Sequence, residues 1–114
     1  MIILYGIKNC DTVKKARDWL AKNNIDYRFH DFRTDGLDQA QVKNWITEIG
    51  LDNLVNKRST TWKELDATTK ANFDERNAAA VIGENPTLIK RPLLDTGKQQ
   101  YVGFKEAEYS NIFG

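Results

Sequence analysis

The sequence predicts an α/β fold in the order βαβ, helical block, ββα, and three observations carry that prediction. The first is the continuous apolar run Ile2–Tyr5 followed by Gly6, which suits a strand buried on both faces, as in a parallel sheet. The second is helical spacing over Thr12–Asn23 followed at once by another strand pattern, a βαβ unit whose two strands should be parallel. The third is Asp95-Thr96-Gly97-Lys98, a hairpin turn signature between two short apolar stretches near the end of the chain.

Each element has its own local reason. In Thr12–Asn23, Val13, Ala16 and Leu20 recur at helical spacing, and Asn23-Asn24 stops the helix. In Tyr27–Phe32, Tyr27, Phe29 and Asp31 alternate with Arg28, His30 and Phe32, the mark of a second strand. After the turn Thr34-Asp35-Gly36, Asp38 caps a helix through Ile49, with Gln41 placed for a capping box. Val42, Trp45, Ile46 and Ile49 form its apolar stripe, and Gly50 ends it. Thr61-Trp62-Lys63-Glu64 reads as a capping box opening a short helix, and a further helix is expected from about Lys70 to Ile82, stopping at Gly83. Asn85-Pro86 reads as a cap with proline at the first helical position. Pro92–Leu94 and Gln100–Phe104 are short strands, and Glu106–Phe113 a final helix. No repeat, linker or low-complexity stretch interrupts this order, so the expectation is a single domain over residues 1–114 with a helical insertion at about 36–88.

Bulk properties narrow the function. With 40% hydrophobic and 29% charged residues the chain reads as soluble and globular rather than disordered. A net charge of +1 argues against a general nucleic-acid binder, so any positive site must come from local placement. The start, MIILYG, lacks the basic and long apolar regions of a signal peptide, and no stretch is long enough to span a membrane. One Cys forbids an internal disulfide, and one Cys with one distant His leaves no dedicated metal site; the expected location is the reducing cytoplasm.

That Cys is the residue of interest. Cys10 lies in Gly6-Ile7-Lys8-Asn9-Cys10-Asp11-Thr12, between the first strand and the first helix. A lone cytosolic Cys is usually a small buried hydrophobe. Sites in open α/β sheets, however, form beyond the carboxyl ends of strands, and a helix N-terminus favours a thiolate. An ordinary thiol, of pKa about 8.5, is only about 3% ionised at pH 7. A helix end contributes about 0.3–1 kcal/mol toward the anion, so neighbouring cations must supply the rest. Two arginines are candidates: Arg58, in the polar loop Asn56-Lys57-Arg58-Ser59-Thr60, and Arg91, held extended before Pro92. A solvated surface role is the plainer reading of either one alone.

The combination Tyr5, Asn9-Cys10, Arg58 and Asn85-Pro86-Thr87-Leu88-Ile89-Lys90-Arg91-Pro92 resembles the arsenate reductase (ArsC) and Spx family, closest to its YffB branch of small reductases. The resemblance covers nearly the whole chain. It implies a thioredoxin-like fold with an inserted helical block, a nucleophilic Cys10, and an anion-binding set of Arg58 and Arg91 with Asn9 and Pro92. It also implies a cis peptide at Arg91-Pro92. The chain departs from the arsenate reductases where they carry a His (here Gly6), a hydroxyl residue (here Val13) and a third arginine (near Phe104). Val13 also stands where many Spx proteins carry a second Cys.

These readings lead to a thiol-dependent oxidoreductase, a glutathione-dependent monothiol reductase in which no cofactor is bound and glutathione is co-substrate, since an external thiol must release the enzyme. The alternatives are an Spx-like regulator binding RNA polymerase, or a weak arsenate reductase. Trp19, Trp45 and Trp62 could serve a protein partner, although tryptophan on a helical stripe is more often core. His30 could be a base, but nothing around it forms a motif, and a surface or cross-strand role is the simpler account.

Overall fold

Alternation along the two inner strands decides how the layers stack. In the computed structural model, which describes residues 1–114, the sheet has the order β2-β1-β3-β4. The strands are β1 (Ile3–Gly6), β2 (Arg28–Asp31), β3 (Leu93–Asp95) and β4 (Gln100–Val102). β2 runs parallel to β1 with Tyr5 opposite His30, while β3 is antiparallel to β1 with Tyr5 opposite Leu93. Leu4 and Leu94 point to one face, where Ala16 and Leu20 of α1 (Asp11–Lys22) and Tyr109 of α7 (Glu106–Phe113) complete a small core. Tyr5 and Leu93 point to the other face, into a larger core with Val42, Trp45, Ile82 and Leu88 from the segment between β2 and β3. The result is a thioredoxin-like α/β fold with a mixed sheet.

Most elements fall where the sequence puts them, and the exceptions have local causes. α2 (Gln39–Ile49) is capped by Asp38, whose carboxylate accepts from the Ala40 N–H at 3.0 Å; the reciprocal bond from Gln41 is not made. Gly50, at φ 92°, ends α2 and leads directly into α3 (Leu51–Leu54). α4 (Thr60–Glu64) begins one residue before the expected box. Its cap is Ser59, whose Oγ accepts from the Trp62 N–H at 3.1 Å, while the Thr61 hydroxyl is hydrogen-bonded to Thr87. The single helix expected over Lys70–Ile82 is instead two, α5 (Ala67–Ala71) and α6 (Ala78–Glu84). Between them the Asn77 side chain donates to the Asn72 carbonyl at 2.8 Å and accepts from the Asp74 N–H at 3.0 Å. Such bonds offer the backbone an alternative to the helical ladder. Gly83 therefore lies inside α6. Asn85 does stand at the N-cap of a 3-10 turn, Pro86–Leu88, with Pro86 at its first position, but its side chain makes no capping bond; its amide donates back to the Val81 carbonyl at 3.0 Å.

The smaller core holds one unsatisfied polar group, the Tyr109 hydroxyl, which is fully buried and has no hydrogen-bond partner. Its ring is boxed edge-on by Trp19 at 5.6 Å and Phe104 at 4.7 Å. Burial, with Glu108 adding, pushes the phenol well above its ordinary value of 10.0. The neutral phenol's contribution to stability is complete below about pH 10 and is lost as pH rises further, because the unfolded chain ionises first. Tyr109→Phe is expected to be neutral or slightly stabilising at pH 7 and to flatten the alkaline loss of stability, as read from urea melts at neutral pH and above pH 10.

Candidate active site

Three segments meet at the end of the sheet where β1 stops. Because β1 and β3 are antiparallel, the loop Ile7–Cys10 leaves that end of the sheet just where Arg91-Pro92 enters it. Cys10 occupies the N-cap position of α1, in extended backbone (φ −121°, ψ 121°), and its carbonyl accepts from the Lys14 N–H at 2.9 Å. Its side chain forms no capping hydrogen bond, so the thiol is free, half-buried and packed against the larger core. The unpaired N–H groups of the first helical turn lie beside it. Asn9 is exposed in the turn preceding it, and Asp11 is exposed just after it.

The arginines are brought together by a contact distant in sequence. An isolated antiparallel bridge pairs Val55 with Ile89, flanked by Asn56 N–H to Leu88 carbonyl at 2.8 Å and Lys90 N–H to Leu54 carbonyl at 2.8 Å. It sets the 54–58 segment beside the 88–91 segment. The Asn56 carboxamide then accepts from the Arg58 N–H at 3.0 Å, tightening the turn that carries Arg58. Both arginines thus line one open cleft of about 700 Å³, together with Lys57, Lys90, Asn56 and Gly103. Asp52 is the one acid there, and none of the four cations makes an ion pair, since the chain's single salt bridge joins Arg76 to Asp74.

Of the expected set, Arg58 and Arg91 share this cleft, while Cys10 and Asn9 follow β1 at the same end of the sheet and do not line it. Pro92 is buried, and the Arg91-Pro92 bond is cis. The Pro92 carbonyl accepts from the Gly103 N–H at 2.9 Å, whereas the N–H and C=O of Arg91 have no partner within the chain. Lys57 and Lys90 carry a single signal in the sequence, the repeated Lys-Arg doublet. Lys57 Nζ sits 5.3 Å from the Trp62 ring centroid. No three His, Cys, Asp or Glu side chains are gathered as metal ligands. His30 faces Tyr5 across the strand pair at 4.9 Å and is hydrogen-bonded to the Gly36 carbonyl at 2.7 Å.

Two of the departures from the arsenate reductases are in contact with each other. A Cβ placed on Gly6 would stand 2.8 Å from a γ-methyl of Val13, which is fully buried. The branched side chain on α1 therefore fills the space that any side chain at residue 6 would need. Gly6→Ala is expected to destabilise by about 1–3 kcal/mol. Val13→Ala should carry its own cost yet offset that of Gly6→Ala in the double variant, a coupling that urea melts of the four proteins would measure.

Known proteins resemble the chain over nearly its whole length. The family model of ArsC matches residues 5–112. An uncharacterized protein of Haemophilus influenzae is 52% identical over 113 residues, covering 99% of each chain. The solved structure of the YFFB (PA3664) protein superposes with a TM-score of 0.95 at 39% identity, covering 100% of both chains. The global transcriptional regulator Spx of Streptococcus pyogenes is 28% identical over 110 residues, covering 95% of this chain and 81% of Spx.

Proposed function

The chain belongs to the ArsC family, and on that premise we propose that it is a glutathione-dependent monothiol reductase with Cys10 as nucleophile. The observation that carries this reading is the free thiol at the start of α1, at the same end of the sheet as a cleft of unpaired arginines. In the proposed cycle the Cys10 thiolate attacks the glutathione sulfur of a mixed disulfide. The disulfide breaks, the other thiolate leaves and takes a proton from solvent, and a Cys10–glutathione disulfide forms. A free glutathione thiolate then attacks the glutathione sulfur of that disulfide, releasing oxidised glutathione and restoring the Cys10 thiolate; one reduced glutathione is consumed and one disulfide is exchanged for another. Arg58 and Arg91 would hold glutathione carboxylates. The unpaired N–H and C=O of Arg91 would pair with its peptide backbone in strand fashion. Asn9 and Pro92 shape the two loops between which the sulfurs meet. Dependence on a reduced glutathione pool fits a cytoplasmic location.

The test is turnover of a small glutathione mixed disulfide under excess glutathione. Arg58→Gln and Arg91→Gln are each expected to lower kcat/KM by about tenfold or more, the worth of a charge-assisted hydrogen bond. Unchanged kcat/KM in both variants would remove the arginines from the site. The same cleft would admit arsenate, but Gly6, Val13 and Phe104 withhold the polar groups that the resemblance associates with that reaction, so arsenate is expected to be the poorer substrate.

One observation favours a second reading, a regulator that works by contact with the transcription machinery: the similarity to Spx spans 95% of this chain. Val13, buried where many Spx proteins carry a second Cys, leaves no internal dithiol switch. Recovery of RNA polymerase subunits equally by the wild-type and Cys10→Ser proteins would favour it over the enzyme.

A further inference from the structure

The turn that carries Arg58 is held at both of its ends, and both holds reach the segment that carries Arg91. Before the turn the hold is backbone pairing: Val55 bridges Ile89, and the Asn56 N–H donates to the Leu88 carbonyl at 2.8 Å. After the turn it is a side-chain pair. The Thr61 hydroxyl, in α4, is hydrogen-bonded to the Thr87 hydroxyl, in the turn Pro86–Leu88. Between the two holds, Ser59 Oγ donates to the Asn56 carbonyl at 2.7 Å and stiffens the loop. The threonine pair caps nothing: α4 is capped by Ser59, the Pro86–Leu88 turn has no side-chain cap, and neither threonine hydroxyl makes a second hydrogen bond. α4 buries none of its side chains fully, so little packing competes with that bond in placing it against Pro86–Leu88. Neither threonine lines the cleft.

We infer that Thr61 and Thr87 are positioning residues for the cleft: their hydroxyl pair sets the spacing of Arg58 from Arg91, and so the selection of a disulfide whose carboxylates meet both arginines. A charged donor already fixed in place meets a carboxylate at little cost, whereas one on a loop held at a single end must be ordered by the ligand. The inference rests on the reductase reading, which places glutathione carboxylates on the two arginines. It goes beyond that reading by locating selectivity in two side chains outside the cleft.

The test compares two disulfides in single-turnover reaction with Cys10: oxidised glutathione, which carries carboxylates, and bis(2-hydroxyethyl) disulfide, which carries none. In both, the Cys10 thiolate attacks one sulfur, a mixed disulfide forms and the other thiolate leaves. Each rate is divided by that of free 2-mercaptoethanol with the same disulfide, which removes intrinsic reactivity. Thr61→Val, Thr87→Val and the double variant remove hydroxyls and keep the branched shape. Each is expected to slow the reaction with subsaturating oxidised glutathione by about tenfold and to leave the neutral disulfide's rate unchanged. In turnover the loss should fall on KM, with kcat kept. The double variant should lose no more than either single one, since the same bond is broken in all three. Thr87→Ser, which keeps the hydroxyl, should react as the wild type does. Full selectivity in the double variant, an equal loss on both disulfides, additive losses, or a Thr87→Ser protein as slow as Thr87→Val would each overturn the inference; the equal loss is what a merely structural role predicts. A wild-type preference for oxidised glutathione that persists in the double variant sinks the spacing role and leaves the reductase reading standing. No such preference in the wild type sinks the glutathione site and the spacing role with it.

Discussion

Cys10→Ser is expected to abolish glutathione-dependent turnover, by at least about a thousandfold, while leaving the fold intact. Activity and stability separate because of where Cys10 sits. As the N-cap of α1 it makes no side-chain capping bond, and its side chain is only half-buried. Serine is among the preferred N-cap residues, and its hydroxyl reaches the N–H groups that the thiol leaves unpaired. The variant should therefore melt at the wild-type temperature or slightly above it. Residual turnover in such a well-folded variant would place the nucleophile elsewhere, and no second thiol exists to take its place.

The largest effect on stability is expected at Trp45, the biggest of the fully buried side chains. It packs edge-on against Tyr5 at 4.8 Å and beside Phe32 at 6.4 Å, joining α2 to the sheet. Trp45→Ala should cost about 3–5 kcal/mol, against a total stability of roughly 5–15 kcal/mol for a domain. Because Tyr5 lies in β1 and faces Trp45, loosening this contact also loosens the strand from which the Cys10 loop departs. Trp62, half-buried beside Phe73 at the rim of the same core, should tolerate the change far better. Denaturant melts of the two variants give the comparison. An equal effect at both positions would contradict the assignment of Trp45 to the core rather than to a partner surface.

How far the sequence discloses this protein depends on whether local and global preferences agree. β1, α1 and α7 are legible because their apolar residues are the ones that the sheet buries. The 67–84 stretch is not, because Asn72, Asp74 and Asn77 bond to the nearby backbone and divide a pattern that reads as one helix. Thr61 is misleading for a related reason: Ser59 is equally able to cap, and the pairing of Thr61 with Thr87 spans 26 residues. At the site, Cys10, Arg58 and Arg91 stand out through position, the preceding or following residue, and family resemblance. Lys57 and Lys90 do not, since a lysine beside an arginine ordinarily reads as solvated surface, and only the bridge between Val55 and Ile89 makes the two doublets face one cleft. Burial of Asp31 is likewise invisible in the sequence: its carboxylate accepts from the Arg33 N–H at 2.8 Å, which lets an acid be the one buried residue at the end of β2.

The central claim is that Cys10 exchanges with glutathione, and intact-mass measurement of the wild-type protein after exposure to oxidised glutathione tests it most directly. The predicted result is a single glutathione adduct on the protein, absent from Cys10→Ser and removed by fresh reduced glutathione. A wild-type mass that stays unmodified while the protein remains folded would contradict it.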